Sequence, residues 1–185
     1  SPALARSVVA AEDRRFHEHG GVDWGALGVS LARHVASGGT RGASTISMQL
    51  ASRLDTTAAP RGAKRNLREK LRQISAALAL ERGWSKGEIL EAYLNLITFR
   101  GELQGISAAA RGLFDKDPSG LSEAESLILA SLIPSSRPSA DALARRAVRI
   151  GARAQSVTTA DEIAALAAET LGRPYRIRPR VALAP

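Results

Sequence analysis

Residues 85–94 read Ser-Lys-Gly-Glu-Ile-Leu-Glu-Ala-Tyr-Leu, and they contain the clearest helix start in the chain. Ser85 occupies the N-cap position, and Glu88 three residues later completes the reciprocal pair of a capping box before the apolar run. The same pattern recurs further along the chain, at Ser122 with Glu125 and at Thr159 with Glu162. Because each signature marks the first turn of a helix, the three together predict an all-α fold.

Hydrophobic spacing and glycine-containing breaks predict four helices before that stretch. They span Leu4–Gly20, Trp24–Ala36, Ser44–Leu54 and Lys64–Arg82. The last of these carries apolar residues at i, i+4, i+7 and i+11, namely Leu67, Leu71, Ile74 and Leu78. That spacing places them on one helix face. No segment shows a sustained alternation of apolar and polar residues, so we predict no long strand.

The amino-acid composition limits the kinds of site and of binding partner that this chain can have. The chain has 185 residues and no cysteine, which excludes a disulfide framework, a thiolate zinc site and a cysteine nucleophile. Its 26 lysines and arginines exceed its 18 aspartates and glutamates, giving a net charge of +8. This excess favours a polyanionic partner: nucleic acid, an anionic membrane surface or a phosphorylated substrate. An aromatic content of 4% argues against stacking on single-stranded nucleic acid.

The densest group of acidic and imidazole side chains lies at residues 11–23. If the first helix extends to Gly20, then Glu12, Phe16 and His19 share one of its faces, at i, i+4 and i+7. A carboxylate beside an aromatic ring at a helix end suits a general base or acid. The competing interpretation is a solvated charged face, which is the commoner case for a bare Glu-Asp pair.

Two further segments could bind an anion. Residues 42–50 place Ser44 and Thr45 after a glycine-containing loop, where the backbone N–H groups of a helix start suit phosphate oxygens. Taken alone, that segment is better explained by a plain Ser/Thr N-cap. In the predicted helix Lys64–Arg82, Lys70 and Gln73 flank the apolar face and could line a cleft. A solvated basic face is the alternative there.

Taken in order, these segments resemble the glycosyltransferase domain of bimodular penicillin-binding proteins, the family 51 peptidoglycan glycosyltransferases. The similarity covers Arg6 to about Pro138, and more loosely the helices to Leu171. The matching motifs are Glu12-Asp13 with Phe16, His19, Gly21 and Asp23; residues 42–50; Lys70 with Gln73, Leu80-Glu81, Ser85-Lys86 and residues 88–95; and Gly101 with residues 105–109, 113–114 and 121–125.

The resemblance implies a lysozyme-like all-α domain at residues 1–171 that polymerises lipid II into β-1,4 glycan strands with inversion. Undecaprenyl diphosphate would be released. The implied partners are lipid II, the growing glycan chain and the anionic membrane surface, with no nucleic acid. The expected location is the outer, periplasmic face of the bacterial cytoplasmic membrane, with an N-terminal anchor helix preceding this chain. No Ser-x-x-Lys motif occurs in the sequence, so the transpeptidase nucleophile is absent from it. If the parent protein is bimodular, residues 172–185, rich in Arg and Pro, are expected to connect this domain to a transpeptidase domain.

The resemblance also implies roles for individual residues. Glu12 is expected to be the general base and Asp13 to orient the site. The implied substrate-binding residues are Phe16, His19, Ser44, Thr45, Gln49, Arg53, Arg65, Lys70 and Gln73. No protein-held metal is expected. A divalent cation, Mg²⁺ or Mn²⁺, bridging the diphosphate stays open as an alternative.

Several positions depart from the commonest family pattern. Gln73 stands where many members carry a second glutamate, and its amide cannot transfer a proton. Ser52 and Arg53 replace a Lys-Asn pair, so Arg53 could supply the cation from the next position. Gln73 together with Met48 resembles the penicillin-binding protein 1C branch. Two other functions stay open: a lysozyme-like hydrolase, and a degenerate module that binds lipid II without turnover.

Overall fold

The computed structural model describes residues 1–37, 44–55, 67–100, 103–134 and 137–172. Most of these residues are helical, which confirms the all-α prediction. The elements are α1 (Pro2–Glu12), α2 (Trp24–Ser37), α3 (Ile46–Leu54), α4 (Leu67–Gly83), α5 (Lys86–Leu96), β1 (Thr98–Phe99), β2 (Leu103–Gln104), α6 (Ile106–Phe114), a 3₁₀ turn (Pro118–Gly120), α7 (Glu123–Leu132), α8 (Ala140–Ala154) and α9 (Ala160–Gly172).

Two of the three predicted capping boxes are present in full in the structure, and half of the third is present. The Ser85 N–H donates to Glu88 Oε2 at 2.7 Å, and the Glu88 N–H donates back to Ser85 Oγ at 3.3 Å. Ser122 and Glu125 form the same reciprocal pair at the start of α7. Both predictions are confirmed, because a capping box depends only on residues three positions apart. At α9, the Glu162 N–H donates to Thr159 Oγ1 at 3.3 Å, which is the forward half of the pattern.

The first predicted helix ends earlier than its sequence pattern indicates. α1 stops at Glu12, and residues 14–18 form turns, so the prediction of a helix to Gly20 is wrong. Glu12, Phe16 and His19 consequently do not share a helix face. The reason is a long-range bond: the Asp13 carboxylate accepts the backbone N–H of Ile46 at 3.0 Å, and the following chain turns to bring His19 onto the same carboxylate.

Smaller differences concern α3, α4 and a hairpin. α3 begins at Ile46, two residues later than predicted, with Thr45 as its N-cap. On α4, Leu71 is 57% exposed, whereas Ala77 is fully buried. β1 and β2 form an antiparallel pair with Phe99 opposite Leu103. Two-residue strands are too short to show the alternation by which strands are predicted.

Packing divides the chain into two compact units, one spanning Val8–Leu96 and the other combining Ser1–Ser7 with the residues from Ile97 onward. In the first unit, α3 packs against α4 and α5. Its core includes Val22, Met48, Ala51 and Ala77. This packing places α3, which carries Gln49 and Arg53, beside α4, which carries Lys70 and Gln73.

The second unit is built around α7, α8 and α9. α7 is buried from Ala124 to Leu132, and both other helices pack against it. Arg100 closes the end of α9 by donating to the carbonyl oxygens of Thr170 at 2.8 Å and Leu171 at 3.1 Å. Across the described residues of both units, no helix combines the length and apolar character that a membrane crossing requires.

Candidate active site

Glu12 lies at the last residue of α1 and is half-buried. Its Oε2 accepts a hydrogen bond from Gln49 Nε2 on α3, over 3.2 Å. Gln49 in turn accepts at Oε1 from the hydroxyl of Tyr93 on α5, over 3.1 Å. The three side chains thus form a hydrogen-bond chain that ends on the Glu12 carboxylate.

The neighbouring carboxylate, Asp13, is committed to internal hydrogen bonds. His19 Nε2 lies 3.0 and 3.1 Å from its two oxygens, and the Ile46 N–H donates to it at 3.0 Å. The Gly21 N–H donates to His19 Nδ1 at 3.2 Å, so Nδ1 carries the lone pair and Nε2 carries the proton. Asp13 also lies at the start of α3, where the helix dipole favours a negative charge. It therefore fixes the start of α3 relative to the turn that follows Glu12.

Thr45 joins that turn to the same helix start. Its hydroxyl donates to Gly21 O at 2.6 Å and accepts the Met48 N–H at 3.1 Å. Two N–H groups of the α3 N-terminus, those of Ile46 and Met48, are thus bonded within the protein. The expectation that the N–H groups of this helix start bind phosphate oxygens is wrong for these two, because Asp13 and Thr45 already occupy them.

The side chains of α4 meet those of α3 at two points. Lys70 Nζ donates to Ser44 Oγ at 3.1 Å, and Gln73 Nε2 donates to Ser52 Oγ at 3.3 Å. Lys70 is half-buried, so the ammonium group is held near the start of α3 without being enclosed. The structure thus brings together the cation and the hydroxyl that we assigned to diphosphate binding from different motifs.

Arg53 lies in the last turn of α3. Its guanidinium donates to the carbonyl oxygen of Gln49 at 3.0 Å and lies over the Tyr93 ring at 5.3 Å from the centroid. Phe16 is fully buried beneath the turn, with Lys86 Nζ 4.4 Å from its ring centroid. Arg65, predicted to bind substrate, lies outside the described residues, as do Gly42 and Ala43 of the second motif.

A second polar cluster was given no role from the sequence. Lys86 Nζ donates to Glu81 Oε1 and to the carbonyl oxygen of His19, both at 2.6 Å, and Ser47 Oγ donates to the same Glu81 oxygen at 2.5 Å. The cluster ties α3, α4 and the start of α5 to the turn after Glu12. In the sequence, Glu81 and Lys86 stood out only as members of a family motif. Membership of a motif does not identify the residues that they contact.

No role for the Tyr93 hydroxyl was indicated by the sequence either. Tyr93 sits in an otherwise apolar run of α5, and a buried tyrosine usually finds a partner for its hydroxyl. That rule predicts that a partner exists. It does not identify Gln49, which lies 44 positions away in the sequence.

Asp23 caps the start of α2 next to this turn. It accepts from Arg15 through Nε at 2.9 Å and through Nη2, and it accepts the Ala26 N–H at 2.9 Å. The Arg15 hydrogen bond, and after it the Ala26 N–H, lower the pKa of Asp23 to about 2. The carboxylate therefore stays ionised at any pH at which the protein is expected to work.

The acidic and imidazole side chains near Glu12 are bonded to donors within the protein. The described part of the chain contains no group of three or more His, Cys, Asp or Glu side chains placed to hold an ion. Asp13 is already bonded to a histidine and a backbone N–H, and Glu12 to an amide. The residues described here do not by themselves form a metal cage.

Comparison with known proteins gives a consistent family. The profile of the Transglycosylase family matches residues 1–162. Three relatives share the name biosynthetic peptidoglycan transglycosylase: one from Mannheimia succiniciproducens (35% identical, 72% of this chain and 53% of the relative), one from Rhodospirillum centenum (38%, 74% and 57%) and one from Haemophilus influenzae (37%, 72% and 53%). The chain thus spans a little over half the length of these relatives. Because the family profile covers most of the chain, the chain belongs to the Transglycosylase family.

Proposed function

We propose that this chain is a peptidoglycan glycosyltransferase domain that polymerises lipid II into β-1,4-linked glycan strands with inversion. The observation that carries the proposal is Glu12, a half-buried carboxylate that receives an amide donor from Gln49 in the unit that also holds Lys70. The names of the relatives support the same activity. The location that follows is the periplasmic side of the cytoplasmic membrane.

In the proposed reaction, Glu12 removes the proton from the 4-hydroxyl of the acceptor sugar. The resulting oxygen attacks the anomeric carbon of the donor from the face opposite the diphosphate. The bond between that carbon and the diphosphate oxygen breaks, and undecaprenyl diphosphate leaves with the electron pair. One base is sufficient, because a diphosphate leaves without needing a strong general acid.

Lys70 is the group proposed to stabilise the leaving diphosphate. Its ammonium is held 3.1 Å from Ser44 Oγ, so a cation and a hydroxyl donor are available together. A positioned cation is worth more in a partly enclosed site than in water, because less solvent screens it. A divalent cation, if the reaction uses one, would lie between the diphosphate and the protein.

Gln73 suggests how this chain differs from the commonest family pattern. Its contact with Ser52 places an uncharged pair on the surface between α3 and α4. Since an amide transfers no proton, the proposed base chemistry depends on Glu12. We further propose that the parent protein resembles the penicillin-binding protein 1C branch, with residues 1–171 as the glycosyltransferase domain. A connector at residues 172–185, a transpeptidase domain and an N-terminal membrane anchor belong to the same proposal.

The hydrolase alternative requires a second catalytic carboxylate. Asp13 does not suit that role, because His19 and the Ile46 N–H hold it. Incubation with lipid-free peptidoglycan separates the two activities, and we expect no release of muropeptides.

The test of the proposed function is Glu12→Gln, which keeps the shape of the side chain but removes its basicity. We expect purified lipid II to give glycan polymer with the wild-type protein and none with the variant. Glu169→Gln on the exposed face of α9 is the matched control and should leave polymer formation unchanged. Wild-type polymer from Glu12→Gln would overturn the assignment. Binding of lipid II by the wild-type protein without any polymer would favour the degenerate binding module instead.

A further inference from the structure

We propose that Tyr93 is a positioning residue whose hydroxyl fixes the Gln49 amide so that its NH₂ group faces Glu12. The role of Tyr93 rests on the proposed role of Glu12 as general base. All three residues lie in the unit Val8–Leu96, on α5, α3 and α1 respectively. The inference concerns a fully buried side chain that would otherwise be taken for a simple core residue.

The hydrogen-bond chain runs in one direction. The Tyr93 hydroxyl donates to Gln49 Oε1 at 3.1 Å, and Gln49 Nε2 donates to Glu12 Oε2 at 3.2 Å. A primary amide has its acceptor and its donors on opposite sides. With its carbonyl oxygen engaged by the hydroxyl, the amide turns its donors toward the carboxylate.

The orientation of this amide matters for the base. Rotation by half a turn would place the carbonyl oxygen of Gln49 against the carboxylate of Glu12, and two acceptors repel each other. Such a contact favours the protonated carboxylic acid, which cannot remove a proton from the acceptor sugar. The direction of the amide therefore decides whether Glu12 receives a hydrogen-bond donor or faces a second acceptor.

The Tyr93 ring is itself held in place. The Arg53 guanidinium lies 5.3 Å from the ring centroid and also donates to the backbone carbonyl of Gln49 at 3.0 Å. One cation thus contacts both members of the tyrosine–glutamine pair. Ile89, one turn earlier on α5, is fully buried and anchors the helix face that carries the ring. The hydroxyl consequently has a fixed position from which to donate.

A role in packing and a role in positioning make different predictions for Tyr93→Phe. Phenylalanine fills the same space, so a residue needed only for packing tolerates the change. If the hydroxyl positions Gln49, removal of one hydrogen bond should lower kcat about 5- to 10-fold while KM for lipid II changes less than about 2-fold. The acid limb of the pH–rate profile should move to higher pH. In the variant the Gln49 amide can turn its oxygen toward Glu12, and a carboxylate that faces a second acceptor takes up a proton at higher pH.

The matched control is Ser131→Ala. Ser131 is a buried residue of α7 in the other unit, and its hydroxyl donates to the Leu127 carbonyl at 2.7 Å. The Ser131→Ala variant loses one buried hydroxyl, as Tyr93→Phe does. It should leave both kcat and the pH profile unchanged. Circular dichroism and thermal unfolding of both variants establish that each is folded at the assay temperature.

A double-mutant cycle tests whether Tyr93 acts through Gln49. In the background of Gln49→Ala, adding Tyr93→Phe should cause no further fall in kcat. An equal fall in both backgrounds would show that Tyr93 acts by another route and would overturn the inference. If the Gln49→Ala protein is too slow to assay, the pH profile of Tyr93→Phe alone decides the question.

Site-specific 3-fluorotyrosine at position 93 gives an independent result should Tyr93→Phe fail to fold. Its hydroxyl is a stronger donor, so the acid limb should move to lower pH, and no movement would contradict the inference. An unchanged kcat and pH profile in Tyr93→Phe, with Glu12→Gln inactive, refutes only the role of Tyr93. Full activity in Glu12→Gln refutes the proposed function itself.

Discussion

The two adjacent carboxylates Glu12 and Asp13 have different surroundings, and these surroundings separate their uses. Asp13 is almost fully buried and bonded to His19 and to the start of α3, so removing its charge would disturb the turn. Glu12 is half-buried and receives a neutral amide donor. The structural role of Asp13 and the proposed catalytic role of Glu12 thus follow from different contacts, although the two residues are neighbours in sequence.

The tautomer of His19 allows its two ring nitrogens to bond to different parts of the turn. The Gly21 N–H donates to Nδ1, which leaves Nε2 as the donor to Asp13. With both nitrogens engaged and the side chain mostly buried, His19 is well placed to hold the turn. We therefore expect its contribution to substrate binding to be indirect, through the position of Asp13 and α3.

The pKa of Asp23 leads to a prediction about pH and stability. Because the Arg15 and Ala26 hydrogen bonds lower this pKa from its ordinary 3.8 to about 2, the folded state binds a proton less readily than the unfolded state. The stabilisation is therefore fully present above about pH 4 and is lost as the pH falls toward about 2.

In Asp23→Asn we expect the free energy of unfolding at neutral pH to fall by about 1 kcal/mol. This is less than the full pKa shift would give, because Arg15 is half-exposed and solvent screens its interaction with Asp23. Urea unfolding over a series of pH values measures the difference from wild type. That difference should shrink between about pH 4 and about pH 2. A difference independent of pH would show that the charge of Asp23 does not cause the stabilisation.

At the scale of elements, the contact between the turn and α4 depends on Gly21. Its φ is +97°, and a Cβ atom there would lie 2.8 Å from the carbonyl oxygen of Ala77. The buried Ala77 belongs to the core that α4 forms with α3. A side chain at position 21 must therefore push the turn and α4 apart.

Gly21→Ala should lower the free energy of unfolding by about 3 kcal/mol, combining an unfavourable backbone conformation with a clash against backbone atoms. Gly20→Ala is the matched control: a Cβ at Gly20 meets nothing within 4 Å, so we expect little effect. Urea unfolding of the two variants measures the contrast. Equal stabilities would show that the turn and α4 can separate at no cost.

The elements also show which structural features the sequence predicts. The starts of α5 and α7 were predicted because a capping box needs only residues three positions apart. The end of α1 was not, because Asp13 bonds to Ile46, 33 positions away, and helical periodicity carries no information about such contacts.

The site shows the same division. Resemblance to a family picked out Glu12, Gln49 and Lys70 as candidates, and the structure places them in one unit. The Tyr93–Gln49 and Ser52–Gln73 contacts join residues on different helices, so they depend on how α3 packs against α5 and α4. Sequence patterns thus name residue types, whereas the pairings follow from helix packing.

At the scale of the whole molecule, the net charge of +8 supports the proposed work at an anionic membrane surface. Part of this charge lies on α8, where Arg145, Arg149 and Arg153 are exposed at i, i+4 and i+8. Each basic residue close to an anionic bilayer contributes about 1 kcal/mol to binding. Salt screens such attraction over a distance of about 10 Å at about 0.1 M ionic strength.

We therefore expect the protein to co-sediment with vesicles that contain phosphatidylglycerol and to bind vesicles of pure phosphatidylcholine much less. Raising the salt from about 0.1 M to about 1 M should release most of the bound protein, because the screening length falls to about 3 Å. The triple variant Arg145→Gln, Arg149→Gln and Arg153→Gln tests whether α8 contributes, and it should bind more weakly at low salt. Equal binding to both vesicle types at either salt concentration would show that the net charge does not direct this chain to membranes. Because none of these arginines belongs to the proposed catalytic unit, the triple variant should still polymerise lipid II in detergent, which separates membrane binding from the proposed catalysis.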